Sequence, residues 1–344
     1  MCSDKCCVVG TVITAVLVFL VGLSVFIIAP IIFMSSVGIQ KSLVFPANKI
    51  GPINHLITDD YRITGVRNMY IDVPNDGNTE NVTLGLWQIL PQEIVSDKMK
   101  DDEYNFDGVL SNEKHKILLY LHDNRSDRTK FIKLYKILRE FFHIFAIDYR
   151  GYGDSTGSNL TETNMVNDMK CIFKWIQERS KSKIFVWGHS LGAGIATHLI
   201  AELKKEHINA IGLVLEAPFT SVIDVMKTHP VVKFYSIIPW RQATILNPIK
   251  NNDMNFDSKS YIKDVDCPIM ILHAEDDEII PFKMATELYD TAINKRNSTY
   301  QGNVTFHLYP PEGKGHMLLY SEPDLSEQVR LFIKQCLEFS NKNQ

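Results

Sequence analysis

The feature that most constrains this chain is a serine between two glycines, in the run Gly188-His189-Ser190-Leu191-Gly192. An apolar, strand-like run precedes it at residues 183–187, and a helix-forming stretch begins at Ala193. Glycines on both sides of a residue suit a strained turn that leaves no room for side chains. The order of strand, sharp turn and helix therefore predicts a serine hydroxyl held out at the carboxyl edge of a sheet, where an activated nucleophile would sit.

Strand and helix patterns alternate along the rest of the body. Strands are expected at 68–73, 82–90, 117–121, 142–147, 184–187, 212–215, 268–273 and 304–309. Helices are expected at 129–141, 161–179, 192–206, 283–292 and 325–339, and a polar insert at 96–116 is expected to carry a solvated loop. Apolar strands that alternate with helices predict an α/β fold with a mostly parallel, eight-stranded sheet and helices on both faces. With the serine turn, this predicts the α/β-hydrolase fold over residues 67–344.

The amino-terminal region is organised around an apolar segment without a charged residue between Cys6 and Gln40. The 22 residues from Val8 to Ala29 are almost continuously apolar. As a helix they would be about 33 Å long, which is enough to cross a bilayer core. A cleaved signal peptide would have an apolar core of only about 7–15 residues. We therefore expect a transmembrane signal anchor at 8–34, a cytosolic tail at 1–7 and a juxtamembrane linker at 35–66.

The basic residues that flank the anchor do not decide its orientation, because both flanks carry lysines. Sequons for N-glycosylation favour a body in the lumen of the endoplasmic reticulum. We expect glycans at the four sequons that lie away from the active-site loops, which begin at Asn81, Asn159, Asn297 and Asn303. A fifth sequon begins at Asn124, which lies on an active-site loop, and is not expected to be used.

The cysteines and the overall charge limit the classes of partner, cofactor and modification that the chain can be expected to have. The formal net charge of −4 and the lack of a Lys/Arg stripe argue against nucleic acid. No cysteine pair has the spacing of metal ligands, and the expected chemistry needs neither a metal nor a cofactor. Three cysteines beside the apolar segment are candidates for S-palmitoylation, namely Cys2, Cys6 and Cys7.

A serine nucleophile needs a base, and the base needs an acid to orient it. In an α/β-hydrolase the chain order is serine, acid, histidine. The acid is expected after the next-to-last strand, where Asp277 is the best candidate and the neighbouring Asp276 and Glu275 remain open. The base is expected at His316, on a glycine-bearing loop after the last strand.

The oxyanion that forms during ester hydrolysis needs two backbone donors. One donor is the N–H of Leu191, directly after the nucleophile. The second is expected on the loop after residues 117–121, at the N–H of Asn124. Asp123 occupies the position where a glycine is usual, and a left-handed conformation there would keep Asn124 available. An acid so close to the oxyanion could also slow acylation.

Two further segments shape the active-site region. The apolar and aromatic insertion at 219–261 is expected to form a cap that lines an acyl chain, although a helix packed on the sheet would give the same pattern. The turn Asp148-Tyr149-Arg150-Gly151-Tyr152-Gly153-Asp154-Ser155 is interpreted as structural, organising the loop floor near the active site.

The chain resembles the membrane-anchored lysophosphatidylserine lipase branch of the serine α/β-hydrolases over essentially its whole length. The motifs that carry the resemblance are the anchor, the serine turn, the Asp148–Ser155 turn, Glu216-Ala217-Pro218-Phe219-Thr220, His273-Ala274-Glu275-Asp276-Asp277 and the segment from His316 to Leu325.

This resemblance implies a lumen-facing serine lipase of the endoplasmic reticulum membrane that cleaves lysophosphatidylserine and monoacylglycerols. It carries the triad over to Ser190, Asp277 and His316. The chain departs from that branch at His122-Asp123-Asn124, where the branch has His-Gly-Asn. Two alternatives remain: a protein depalmitoylase with the same triad, and a weakly active or non-catalytic protein with a hydrolase fold.

Overall fold

The computed structural model describes residues 4–46, 63–75, 80–96 and 103–342, and the side chains from residue 8 onwards within them. Its sheet has eight strands in the order β1-β2-β4-β3-β5-β6-β7-β8. The strands are β1 (Val66–Val73), β2 (Val82–Ile89), β3 (Lys116–Leu121), β4 (Phe142–Ile147), β5 (Ile184–His189), β6 (Gly212–Glu216), β7 (Ile269–Ala274) and β8 (Val304–Tyr309). Strand β2 pairs antiparallel with β1 and β4, and every pairing among β3–β8 is parallel. The predicted α/β-hydrolase fold is confirmed.

Helices cover both faces of the sheet. They are α1 (Asp4–Leu23), α2 (Ala29–Ser35), α3 (Val37–Val44), α4 (Phe106–Ser111), α5 (Ile132–Leu138), α6 (Glu162–Arg179), α7 (Leu191–Lys205), α8 (Val222–Thr228), α9 (Pro230–Phe234), α10 (Asn247–Asn251), α11 (Ser258–Tyr261), α12 (Phe282–Lys295) and α13 (Leu325–Lys342). Helices α6, α7 and α12 pack on one face, and α5 and α13 pack on the other.

Strand β5 shows why the sheet needs helices on both sides. Ile184 and Val186 belong to the core on the α7 face, whereas Phe185 and Trp187 belong to the core on the α13 face. Successive side chains of a strand point to opposite faces, so an unbroken apolar run must be buried on both. Because the strands are parallel, the residues that follow β3, β5, β7 and β8 all lie at one edge of the sheet.

The amino-terminal segment is one long helix whose second half lies against the body. Val8–Ser35 has a mean hydropathy of 3.0 and is the one helix among the described residues that is long and apolar enough to cross a membrane. A π-helical turn at Ser24–Ile28 joins α1 to α2. The part of the expected linker that the structure describes before residue 47 contains helix α3, and residues 47–62 lie outside the described ranges.

A buried glutamine fixes α3 to the hydrolase body. Gln40 is fully buried, and its amide nitrogen donates to the carbonyl of Phe33 at 2.7 Å. Its amide oxygen accepts a hydrogen bond of 2.6 Å from Asn252, which lies in the insertion between β6 and β7. Val44 and Phe45 join the same apolar core as α7. The segment after the apolar helix therefore packs against the hydrolase body.

The insertion at 219–261 is a set of short helices, α8 to α11, between β6 and β7. Most of its buried apolar side chains, among them Val232, Ile245, Leu246 and Ile249, belong to the α7-side core. Other apolar side chains of the insertion remain exposed, among them Phe234 and Ile237. The expected role of the insertion as an acyl-lining cap stays a prediction.

Candidate active site

The candidate nucleophile lies at the turn between β5 and α7. Ser190 has φ 55° and ψ −113°, a left-handed conformation that is uncommon for a residue other than glycine. A Cβ atom at Gly188 would lie 2.2 Å from the carbonyl oxygen of Gly192, and one at Gly192 would lie 2.1 Å from that of Leu121. Neither position has room for a side chain, which explains both glycines. The close approach of Gly192 to Leu121 also brings the loop after β3 next to the serine.

His316 and Asp277 meet at the same edge of the sheet. The Nδ1 atom of His316 lies 2.7 Å from Oδ2 of Asp277, and both residues are buried. Oδ1 of Asp277 accepts the backbone N–H groups of Ile279 at 2.9 Å and Ile280 at 2.8 Å, which fixes the carboxylate. An acid held in this way can orient a histidine base.

The environment of this pair sets its protonation. Burial opposes ionisation of Asp277, but hydrogen bonds from His273 and His316 hold its pKa well below its ordinary value. Burial lowers the pKa of His316, and its hydrogen bond to Asp277 offsets only part of that effect. His316 is therefore neutral at pH 7, with its proton on Nδ1 facing the carboxylate. Its Nε2 lone pair is left to accept a proton, as a general base must.

The other two candidate acids have different positions. Asp276 accepts the backbone N–H of Gly313 at 2.7 Å and of Gly315 at 3.0 Å, so it ties the acid loop to the histidine loop. Both glycines have a positive φ. Glu275 is exposed. Of the three acids, Asp277 is the one that hydrogen-bonds to His316.

His189, which lies between Gly188 and Ser190 in the serine turn, also contacts the base loop. Its Nε2–H donates to the carbonyl oxygen of His316 at 2.9 Å, and the two imidazole rings lie 5.0 Å apart. The backbone of the candidate base is thereby fixed to the residue next to the candidate nucleophile. Nothing in the spacing of the sequence indicates this contact, because it depends on how the loop after β8 folds back.

Asp123 folds its own loop. Asp123 is not one of the residues whose φ is positive, so the left-handed conformation that the sequence suggested does not occur. Its carboxylate accepts the backbone N–H of Arg125 at 2.6 Å and the hydroxyl of Ser126. Oδ2 also lies 3.8 Å from Nδ1 of His189. A carboxylate held by its own turn is a local alternative to the glycine that is usual here.

The two candidate oxyanion donors are the backbone N–H groups of Leu191, after the serine, and of Asn124, on the loop after β3. Leu191 is the first residue of α7, where backbone N–H groups have no partner within the helix. Asn124 donates from its side-chain amide to the carbonyl of Val44 at 3.0 Å, and its own carbonyl accepts the hydroxyl of Tyr152 at 3.1 Å. These bonds fix the Asn124 backbone, and the donor role of its N–H stays a prediction.

The contact of Asp123 with this site predicts a change in pH dependence. Burial is the largest influence on the pKa of His316 and lowers it, whereas the negative charge of Asp123 raises it. Asp123→Asn is nearly isosteric and removes that charge, so the pKa of His316 should fall. Because the neutral imidazole is the active form, the acid limb of kcat/KM on a soluble ester should move to lower pH.

Ser126→Ala is the matched control for this change, since it removes a hydrogen bond to Asp123 but keeps the charge. Its acid limb should stay close to that of the unchanged chain. An acid limb that does not move in Asp123→Asn, or moves to higher pH, would contradict the electrostatic role of Asp123.

The predicted modification sites are partly described. The asparagines of the four expected sequons are all exposed: Asn81, Asn159, Asn297 and Asn303. Asn124 is half-buried. The three candidate palmitoylation sites lie outside the described side chains. Occupancy of all these positions stays a prediction.

Comparison with known proteins places these residues in a family. The model of the family "Serine aminopeptidase, S33" matches residues 113–265, from the start of the β3 region to just before β7. The lysophosphatidylserine lipase ABHD12 of Xenopus tropicalis is 33% identical over 324 residues, which cover 92% of this chain and 81% of that protein. The corresponding protein of Bos taurus is 33% identical and covers 92% of this chain and 79% of its own length.

Solved structures show the same fold at lower identity. An esterase of Pyrococcus furiosus superposes with a TM-score of 0.57 at 18% identity, covering 85% of this chain and 97% of its own. That likeness concerns the fold alone. The similarity to the ABHD12 proteins is closer and extends over most of both chains. The chain therefore belongs to the lysophosphatidylserine lipase ABHD12 family.

Proposed function

We propose that this chain is a membrane-anchored serine lipase that hydrolyses the acyl ester of lysophosphatidylserine and of monoacylglycerols through an acyl-enzyme. The observation that carries the proposal is the buried His316–Asp277 pair, joined at 2.7 Å at the sheet edge where Ser190 occupies its strained turn. The ABHD12 relatives, which bear the name lysophosphatidylserine lipase, support the substrate class.

Acylation would begin with proton transfer from Ser190 Oγ to Nε2 of His316 as the serine attacks the ester carbonyl. Asp277 stabilises the imidazolium that results. The backbone N–H groups of Leu191 and Asn124 would hold the oxyanion, and such donors contribute about 3–4 kcal/mol each in comparable sites. His316 then returns the proton to the leaving glycerol oxygen. Water, activated by the same histidine, hydrolyses the acyl-enzyme.

We propose further that the helix Val8–Ser35 is an uncleaved anchor in the endoplasmic reticulum membrane with the body in the lumen. Contacts of the helix itself support an uncleaved chain. Gln40, which is bound to Asn252 of the body, donates to the carbonyls of Phe33 and Met34, and Trp240 of the body donates to the carbonyl of Phe26. Four exposed sequons support the luminal side. Endoglycosidase treatment should increase gel mobility, and hydroxylamine should release acyl groups from Cys2, Cys6 and Cys7. Unchanged mobility would favour a cytosolic body.

Lipid hydrolysis by membranes that contain the unchanged chain or Ser190→Ala tests the proposed reaction. Fatty-acid release is measured from lysophosphatidylserine, lysophosphatidylcholine, a monoacylglycerol and an S-palmitoylated peptide, alongside fluorophosphonate labelling. We expect release from the first and third substrates and labelling, both lost in Ser190→Ala. Preferred release from the peptide would indicate a depalmitoylase. A folded chain without Ser190-dependent labelling would overturn the enzymatic function.

A further inference from the structure

An apolar ridge on the insertion lies beside the anchor helix. The cap ridge consists of Val231, Phe234, Ile237 and Trp240, whose exposed fractions are 58%, 51%, 69% and 39%. It follows α8 and lies in α9 and the turns after it. Four large exposed apolar side chains within ten residues are a cluster of the kind that marks a binding surface or a membrane contact.

Two members of the cap ridge contact the anchor directly. The indole N–H of Trp240 donates to the backbone carbonyl of Phe26 at 2.9 Å. The ring of Phe234 stacks on the ring of Phe26, with centroids 5.5 Å apart and an interplanar angle of 24°. The cap ridge is therefore continuous with the surface of the helix Val8–Ser35.

The length of the anchor fixes the depth of this contact. Val8–Ser35 has 28 residues, whereas about 20 helical residues fill a hydrocarbon core of about 30 Å. Every window of about 20 residues within 8–35 includes Phe26. In any placement of the anchor, Phe26 thus lies within the hydrocarbon core or at its edge. The side chains of Phe234 and Trp240 that contact it lie at the same depth.

The charges around the cap ridge suit a lipid surface. Residues 225–252 contain no aspartate or glutamate. Lys227 pairs with Asp224, directly before that range, at 2.9 Å, and the other basic residues are Lys233, Arg241 and Lys250. Lysine and arginine can bury their aliphatic stems while their charged ends reach lipid phosphates, and tryptophan favours the interface. A surface for a soluble protein partner would not have to lie at the depth of a transmembrane helix.

We propose that the cap ridge inserts into the bilayer next to the anchor and forms a second membrane contact of the hydrolase body. This inference rests on the anchor of the proposed function, but it does not depend on catalysis. A body held at two points would keep the insertion, and with it the sheet edge that carries Ser190, at the lipid surface. A single-chain lipid would then reach the site without crossing bulk water.

Depth-dependent quenching tests the contact in the full chain. Cys2, Cys6, Cys7 and Cys171 are first changed to serine, and an NBD fluorophore is attached at Ile237→Cys. Leu331→Cys is the matched control, because Leu331 is 51% exposed on α13, across the sheet from the α7-side core to which the insertion contributes. Each labelled chain is reconstituted in nanodiscs of phosphatidylcholine and phosphatidylserine, with and without doxyl-labelled lipid.

Quenching by doxyl lipid should be several times stronger at position 237 than at 331, with a blue-shifted emission at 237 only. Equal quenching at both positions, in a chain that co-elutes with the nanodiscs, would overturn the proposed insertion of the cap ridge but not the anchor. A chain that does not co-elute with the nanodiscs would overturn both the proposed anchor and the proposed insertion of the cap ridge. Fluorophosphonate labelling of the same samples reports separately on the catalytic part of the proposed function.

The double variant Phe234→Asp, Ile237→Asp gives a second readout. Both side chains are exposed, so folding should be retained. We expect the apparent KM for a monoacylglycerol in nanodiscs to rise at least fivefold, while kcat/KM for a short soluble ester stays within twofold. Unchanged KM in nanodiscs, or an equal loss on both substrates, would overturn the proposal.

Discussion

Asp277→Asn is expected to lower kcat for ester hydrolysis by about 10³–10⁴-fold, the loss typical of a triad whose acid becomes an amide. The amide oxygen can continue to accept the backbone N–H groups of Ile279 and Ile280, which bind Oδ1 in the unchanged chain. The amide nitrogen then faces Nδ1 of His316, where Oδ2 now lies at 2.7 Å. Two donors cannot share one hydrogen bond, so the histidine proton moves to Nε2. The atom that should accept the proton of Ser190 is then blocked.

The measurement is single-turnover hydrolysis of a soluble ester, with thermal unfolding to show that the fold is retained. Glu275→Gln is the matched control, because Glu275 is an exposed acid on the same loop and its kcat should stay within about twofold. Asp276→Asn should have an intermediate effect, since it weakens the bonds to Gly313 and Gly315 that position the histidine loop. A kcat for Asp277→Asn within tenfold of the unchanged chain would show that another group orients His316.

The serine turn and the sheet could be predicted from sequence because both follow from local patterns. The strands expected at 142–147 and 304–309 coincide with β4 and β8, and the other strand bounds differ by at most two residues. A short, continuous apolar run of this kind predicts a buried strand, since both faces of a parallel sheet are buried. The last helix is expected to end at 339 and ends three residues later, at Lys342.

Helices α3 and α4 could not be predicted, because each is short: α3 has eight residues and α4 has six. Helix α4 lies in the insert that was expected to carry a solvated loop, yet Phe106 and Leu110 are buried in it. Two apolar residues four positions apart give no detectable periodicity in a segment of six. These helices form because the body offers a surface to pack on, which is a tertiary effect.

The same limit applies to the candidate site. Chain order alone could place an acid after β7 and a histidine after β8, but it could not choose among Glu275, Asp276 and Asp277. That choice depends on hydrogen bonds between two loops. Asp123 is a similar case, since sequence suggested a backbone conformation and the structure shows a side-chain turn instead.

The buried arginine Arg128 carries the largest expected effect on stability. It is fully buried, and its guanidinium contacts three side chains, including Asp148 after β4. Nη1 and Nη2 donate to Asp154 at 2.8 and 3.3 Å, and Nη2 donates to Asn68 of β1 at 2.8 Å. Burial already raises the pKa of Asp148, although Arg128 lowers it. The turn at 148–155, which the sequence analysis interprets as structural, is thus held in place by Arg128, a residue outside that turn.

Arg128→Met keeps the volume and leaves Asp148 buried without its cation. Breaking a buried ion pair from one side costs about 3–5 kcal/mol, which for a domain of this size corresponds to a fall in Tm of roughly 10 °C. Arg125→Met is the matched control, since Arg125 is exposed three residues earlier and its change should leave Tm within about 2 °C.

Adding Asp148→Asn to Arg128→Met should recover part of the lost stability, because the change removes the uncompensated charge and leaves an oxygen that can accept the backbone N–H of residue 128. Thermal unfolding of all four chains in the same detergent compares them directly. If Arg128→Met unfolds at the same temperature as Arg125→Met, the ion pairs of Arg128 contribute no net stability. If the double variant is less stable than Arg128→Met, the loss comes from missing hydrogen bonds rather than from a buried charge, since only a charge is relieved by the second substitution.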